Sequence, residues 1–495
     1  MARTRLPWWL QVTLLFVIGR VVSTALMLVI MVQQGAPSLA DAFGHLAEFS
    51  NNWDGRWYNV IAAQGYPAAL PVGANGQVSE NAWAFLPAYP ALVKIIMALT
   101  GAGWAVAAES LSVVFALGAS LLLYRMLVRA VPAQQAMFAV LLFQVAMVSP
   151  LFQTSYAESM QMFLIALAVV LMQRRAYGWV IPVVLVLSFT RPGALAIALT
   201  LGLLWLYRFF NRSRSRFPVK ERWLLATAAG VCAISGVAWM LIAGLVTGVP
   251  SAYLDTELAW RSAYIGYREL SPFTPWIQGA EWWTVSYGNP AWWGYVGLGV
   301  LVLGFAVFLF IPPMKKLGVV IRFYLASYAV YVLAVFFPQS STFRILAPLF
   351  PALGVLAAPR SRVYRVSIVV LSVALQWWWL NTCWKVDGYD WTRVLGIDNL
   401  TLGKQSGHFE IEEGCGNNQE LGGLIELTVE VKGAQVLNEL IGHHTERDLG
   451  DVELVLRNQR EEKVERTFKG TDSDTKSTVC DIRFGGGNGV NPDGV

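Results

Sequence analysis

The sequence predicts an all-α polytopic membrane protein with about eleven transmembrane helices, and three observations carry that expectation. Of 495 residues, 56% are hydrophobic and only 14% charged, with a mean hydropathy of +0.49. Average soluble domains carry about 25% charged residues, so an ordinary water-soluble enzyme is excluded. Apolar runs recur that approach the roughly 20 residues a helix needs to cross a bilayer. Lys and Arg gather at alternate ends of those runs, as the positive-inside rule requires.

The first span is expected at 8–32, behind Arg3 and Arg5, which places the N-terminus in the cytoplasm. Ser38-Leu39-Ala40 resembles a cleavage site, but the apolar run is longer than a signal-peptide core and reads as an uncleaved anchor. A first outer loop follows over 33–103. Its apolar stretch 86–100 contains Pro87, Pro90 and Lys94 and reads as an interfacial or re-entrant helix. The other spans are expected near 104–128, 134–151, 157–173, 177–189, 193–209, 223–247, 291–311, 319–337, 342–358 and 364–384. Their inner turns then hold Arg125/Arg129, Arg174/Arg175, Arg208–Arg216, Lys315/Lys316 and Arg360/Arg362/Arg365. The chain turns back outside at Thr190-Arg191-Pro192-Gly193, and the C-terminus lies outside.

Residues 1–392 carry a net charge of +13 and residues 393–495 a net of −8. All 21 Trp lie at or before Trp391, so the composition breaks near 392. The basic excess belongs to membrane orientation and not to nucleic-acid binding. The tail reads as a small outer domain, a disordered acidic extension or an out-of-family addition. The last two readings fit the loss of Trp and Tyr better. Gly485–Gly489 is linker material, not a nucleotide loop. Cys232 is expected inside a span, and a Cys415–Cys480 pair lacks any disulfide framework.

Five constellations fall on the outer side. Asn52-Trp53-Asp54-Gly55-Arg56-Trp57-Tyr58 would place Asp54, Trp57 and Tyr58 on one helix face. A carboxylate between indole rings is partly desolvated and becomes more basic, which suits it to accept a hydroxyl proton. An N-cap with Trp anchors is the plain alternative. Phe85-Leu86-Pro87-Ala88-Tyr89-Pro90 is a bent helix entry or a mere turn. Tyr156-Ala157-Glu158 puts an acid at the start of a membrane helix, which is costly unless paired or wet. Arg191 sits at a Pro-Gly break, and Ser341-Thr342-Phe343-Arg344 leads into Pro348. Both arginines can bind phosphate oxygens or snorkel to headgroups.

Taken in order, these motifs resemble the GPI mannosyltransferase II (PIG-V-like) family and its bacterial, including actinobacterial, relatives, of the GT-C glycosyltransferases. The likeness covers roughly residues 8–392. The family usually reads His-Trp-Asp where this chain has Asn52-Trp53-Asp54, and Phe-Phe-Pro-Leu-Tyr-Pro where it has Phe85–Pro90. The resemblance implies a GT-C-like fold that transfers mannose, with inversion, from a polyprenyl or dolichyl phosphate donor to an acceptor hydroxyl at the outer or lumenal face. The acceptor is a lipid, a protein or a glycan, and the setting a bacterial plasma membrane, or an ER membrane in a eukaryote. Asp54 would be the general base. Glu158, Arg191 and Arg344 would support it, the arginines on the departing phosphate. Trp53, Arg56, Trp57, Tyr58, Tyr89 and Tyr156 would line the substrate cavity. No cofactor is required, and a divalent ion between Asp54 and Glu158 stays open. The absence of a Gly-rich nucleotide loop agrees with a lipid-linked donor. A lipid or sugar transporter is the alternative, but matched halves are missing. A non-catalytic scaffold is the third reading.

Overall fold

The computed structural model describes residues 6–73, 75–268 and 271–384, with five strand backbones between 405 and 484. The chain divides into two units, Met1–Val386 and Asp387–Val495. Arg3, Arg5, Glu269, Asp387, Asp390, Cys415 and Cys480 lie outside the described residues.

The first unit is helical. Among the described residues, five helices are long and apolar enough to cross a membrane: Trp8–Gln33, Trp104–Leu127, Val219–Thr247, Ala291–Phe308 and Arg362–Trp384. Shorter apolar helices occupy Ala88–Thr100, Ala133–Val145, Glu158–Gln173, Tyr177–Ser188, Ala194–Phe210 and Val319–Val335. The core forms where the Trp104–Leu127 helix packs on Glu158–Gln173, and where Ala194–Phe210 packs on both Val219–Thr247 and Val319–Val335.

Two expected spans are not regular helices. The run 342–358 breaks into a turn of helix at Thr342–Ile345, a 3₁₀ stretch at Ala347–Ala352 and a final turn at Leu353–Leu356. Pro348 and Pro351 explain the break, since each lacks an N–H and its ring crowds the preceding turn. The run 134–151 stops being α-helical at Val145 and re-forms as a 3₁₀ turn over Ser149–Gln153, with Pro150 inside it. The segment expected to be interfacial is a 13-residue helix, Ala88–Thr100, entered through Pro87 and closed by Gly101 in the left-handed region.

The Trp8–Gln33 helix carries a charge in mid-run. Arg20 is buried, and its guanidinium donates to the Ser149 carbonyl at 2.7 Å, to Gln153 Oε1 at 3.1 Å and to the Gln144 carbonyl at 3.3 Å. These acceptors lie at and just beyond the C-terminal end of the Ala133–Val145 helix, where the dipole favours a cation. Gly19 permits the approach: a Cβ there would lie 2.5 Å from Gln144 Cβ. Gly19→Leu should therefore lower thermal stability by at least the ~1–3 kcal/mol of an overpacked contact. An unchanged melting temperature of the purified protein would contradict that packing.

In the second unit, strands Gln405–Ile411, Ile425–Val429, Val452–Arg457, Lys463–Phe468 and Ile482–Phe484 form one antiparallel sheet. The Gln405–Ile411 strand lies between Ile425–Val429 and the short Ile482–Phe484 strand, and Lys463–Phe468 forms the far edge.

Candidate functional site

Asp54 opens the Asp54–Gln64 helix, yet its carboxylate does not cap that helix. The capping position is Trp53, whose side chain makes no cap hydrogen bond and whose backbone sits at φ 55°, ψ −118°. A bulky residue at positive φ persists only where its surroundings hold it there. Tyr156 supplies part of that hold. Its hydroxyl accepts the Asp54 N–H at 3.2 Å and donates to the Asn52 carbonyl at 3.0 Å. Gly55 lets the helix start lie against the chain at 155, because a Cβ there would be 2.9 Å from Asn51 Oδ1 and 3.3 Å from Ser155 Cβ. Asn51 Oδ1 is fixed in turn by the Trp104 indole N–H at 2.8 Å.

Glu158 is the first residue of the Glu158–Gln173 helix, where the positive end of the dipole favours a carboxylate. Arg191 lies in the break between Tyr177–Ser188 and Ala194–Phe210. Gly193, at φ 149°, makes the turn, and Gln161 Nε2 donates to the Pro192 carbonyl at 3.2 Å. Arg344 projects from the short turn at Thr342–Ile345. The hydroxyls of Tyr328 and Tyr324 donate to the carbonyls of Ile345 and Pro348, at 2.7 and 3.0 Å. Without the irregular backbone at 342–352, a straight helix would present Arg344 differently.

The four side chains meet. Arg191 Nη1 is 2.9 Å from Glu158 Oε1 and 3.8 Å from Asp54 Oδ2. Arg344 Nη1 is 3.2 Å from Glu158 Oε1 and donates to Asp54 Oδ2. Its guanidinium also lies over the Tyr156 ring, 5.3 Å from the centroid. Side-chain exposure is 2% for Glu158, 11% for Arg191 and 15% each for Asp54 and Arg344, so all four are largely withdrawn from water. Two cations and two anions make the quartet neutral. Burial disfavours a lone charge at Arg344, but the Asp54 and Glu158 carboxylates beside it hold the guanidinium charged. Arg191 is likewise held charged, chiefly by Glu158 against the same burial. Glu158 Oε2 is buried with no hydrogen-bond partner among the described residues. It is an acceptor waiting for a donor.

No protein-family model matches this chain, and no curated protein matches it.

The other expected site residues fall into two groups. Trp57 stacks on Phe85 at 5.8 Å between ring centroids and meets Trp260 edge-on at 5.7 Å. Trp53 is 53% exposed, and Arg56, also exposed, donates to Asn52 Oδ1 at 3.1 Å. These remain available at the rim. Tyr58, Tyr89 and Tyr156 are buried instead. The Tyr89 hydroxyl donates to the Ala108 carbonyl at 2.9 Å and bonds Ser112 at 3.0 Å, so it braces the wall behind Tyr58. The Tyr156 hydroxyl is engaged with the backbone beside Asp54. Each of these two phenols satisfies buried backbone groups.

A divalent ion between Asp54 and Glu158 would have to use oxygens other than the two the arginines bridge, such as Glu158 Oε2, unpartnered among the described residues. Guanidinium nitrogens of both arginines already bridge Asp54 Oδ2 and Glu158 Oε1.

Sequence reasoning missed a second face of the site. The Ala252–Ala259 helix is fixed to the first outer segment by Asn81 Nδ2, which donates to Thr256 Oγ1 at 2.9 Å. It brings Glu257 within electrostatic reach of Arg191, Arg261 and Asp54. Burial raises the Glu257 pKa, while Tyr253 and the two arginines pull it back. The spacing Tyr253, Glu257, Trp260/Arg261 was visible as one helical face, but nothing local said what it would face.

Proposed function

We propose that the protein is a GT-C-like, PIG-V-like glycosyltransferase of a multi-span fold, which moves mannose from a polyprenyl-phosphate donor to an acceptor hydroxyl with Asp54 as general base. The observation that carries this reading is the buried, charge-neutral quartet of Asp54, Glu158, Arg191 and Arg344, assembled from four separate helix ends.

The quartet suits the chemistry step by step. The acceptor oxygen attacks the anomeric carbon while its proton passes to Asp54, and the bond to the phosphate oxygen breaks with its electron pair. The donor phosphodiester carries one negative charge, and the departing monoester gains a second as it leaves. Protonation of Asp54 turns the neutral quartet into a net cation in the same step. A positive charge thus develops beside the developing negative one, with both arginines already in place. Because the leaving group is an anion, no general acid is needed. Glu158 Oε2, buried and unpartnered among the described residues, can accept a sugar hydroxyl. Trp53 and Trp57 offer aromatic faces to the ring.

The placement at the outer face rests on charge position. Arg174 and Arg175 follow the Glu158–Gln173 helix, whose 16 residues span about 24 Å, so the basic turn and the quartet lie at opposite ends. Eleven spans with an inner N-terminus fit this arrangement. A transporter would need a mid-membrane site at the junction of matched halves, whereas these four residues gather at helix ends.

Two measurements test the reading. Purified protein incubated with polyprenyl-phosphate mannose and native membranes should yield a mannosylated product, and no transfer under any acceptor condition would end the proposal. Arg344→Ala leaves the quartet net negative, so the KM for donor should rise about tenfold or more while the acceptor KM changes little. Equal rises in both would remove Arg344 from the phosphate.

A further inference from the structure

The quartet is neutral at rest, so it leaves unanswered which group holds the negative charge a phosphate substrate brings with it. Among the described residues the Ala252–Ala259 helix leads straight to Arg261, a cation with no carboxylate in direct ion-pair contact. Arg261 is only 3% exposed. Its Nη2 donates to the Arg268 carbonyl, but Nε and Nη1 are buried with no partner, and no carboxylate among the described residues lies within ion-pairing distance. A permanently charged group buried with two idle donors is costly unless a ligand completes it.

Its surroundings tie it to the site. Trp260, the preceding residue, packs its ring on Trp57 and on Phe85 at 5.7 and 5.6 Å, and Trp57 lies one turn after Asp54. The Trp260 indole N–H is also buried and has no partner among the described residues. Glu257, one turn before Arg261, feels Arg261 on one side and Arg191 with Asp54 on the other. Idle donors thus stand on two consecutive residues, beside an aromatic wall shared with the candidate general base.

We propose that Arg261, with the Trp260 indole N–H, adds to the ground-state binding of a substrate phosphate, whose charge the neutral quartet alone does not balance. This deepens the polyprenyl-phosphate reading and relies on it for the anion's identity, not for the binding itself. A phosphate group could arrive on the lipid-linked donor or on a water-soluble phosphorylated acceptor, and the chemistry Arg261 reads is the same.

The test is an equilibrium titration of the full-length, detergent-solubilised protein, followed by tryptophan fluorescence, which Trp260 and Trp57 should report. The probes are polyprenyl phosphate and inorganic phosphate. Wild type should bind polyprenyl phosphate saturably, and Arg261→Gln should weaken that binding about tenfold or more. Arg261→Lys, which keeps the charge without the planar donors, should fall between. Asp54→Asn, which keeps Arg261 and leaves the quartet net positive, should bind at least as tightly as wild type. Displacement by millimolar inorganic phosphate would assign the cradle to a phosphate group from either source, and resistance to it would assign it to the lipid-linked one. Wild type that binds neither probe, or Arg261→Gln that binds as tightly as wild type, overturns the proposal. Should Arg261→Gln fail to fold, Arg261→Lys decides: weakened binding supports the cradle and unchanged binding overturns it. Since no turnover is required, a failed transfer assay would sink the transferase reading and leave this result standing.

Discussion

Asp54→Asn is expected to lower turnover with polyprenyl-phosphate mannose by about 10²–10⁴-fold, the usual contribution of a general base. The substitution is nearly isosteric, and the Asn oxygen can still accept from Arg344. The Tyr156 contact to the backbone N–H at position 54 is untouched. Folding should therefore survive, and donor binding should be kept or tightened because the quartet becomes net positive. What is lost is the proton sink, and with it the positive charge that develops opposite the leaving phosphate. The diagnostic pattern is a collapse of kcat with the donor KM unchanged or lower, measured on protein that elutes and melts like wild type. Wild-type turnover in this variant would remove Asp54 from the chemistry and leave the quartet as a structural clasp. Cysteine accessibility at position 54 checks the side of the membrane independently, since labelling only from the cytosolic face would contradict the proposed orientation.

Periodic and compositional features were legible in the sequence because they depend on neighbours along the chain. The helix at Asp54–Gln64 follows from its local pattern, as do the bent entry at Pro87 and the turn at Gly193. That Asp54, Glu158, Arg191 and Arg344 would act together was an expectation that the family resemblance implied. Their actual bridging, one nitrogen of each arginine serving two carboxylates, needed coordinates. The run 342–358 was read as one span because its composition is apolar, although Pro348 and Pro351 already forbade a regular helix. Tyr89 and Tyr156 looked like cavity residues because aromatic rings near a membrane surface often are. Their hydroxyls instead answer buried carbonyl and amide groups that no local pattern reveals. Glu257, one of the outer carboxylates, and Arg261 had no role for the same reason: their meaning depends on the contact between Asn81 and Thr256, 175 positions apart.

Arg20 shows the same dependence on distant partners and carries the second large expected effect. A single arginine among apolar residues barely alters the hydropathy of the Trp8–Gln33 helix, which is still long and apolar enough to cross a membrane. In the fold it joins three elements: its own helix, the end of Ala133–Val145, and the Ser149–Gln153 turn that leads to Tyr156 and Glu158. Gln153 is held on its other side by Thr24 Oγ1 at 2.8 Å, and the Phe152 ring lies 4.9 Å beneath the guanidinium. Arg20→Met would match much of the volume but strip two carbonyls and a side-chain amide of their donor. Each orphaned buried acceptor costs about 1–3 kcal/mol. Relief from desolvating the guanidinium offsets part of that, so a net loss of about 3 kcal/mol is expected, with a clearly lowered melting temperature. Arg20→Lys should recover part of it, because an ammonium can reach some of the same oxygens but not all three. Activity should fall with stability, through kcat more than through the donor KM, since the displaced residues are Tyr156 and Glu158 and not the cradle at Arg261. A stable Arg20→Met protein with full activity would mean that the 149–158 segment is held without this clasp.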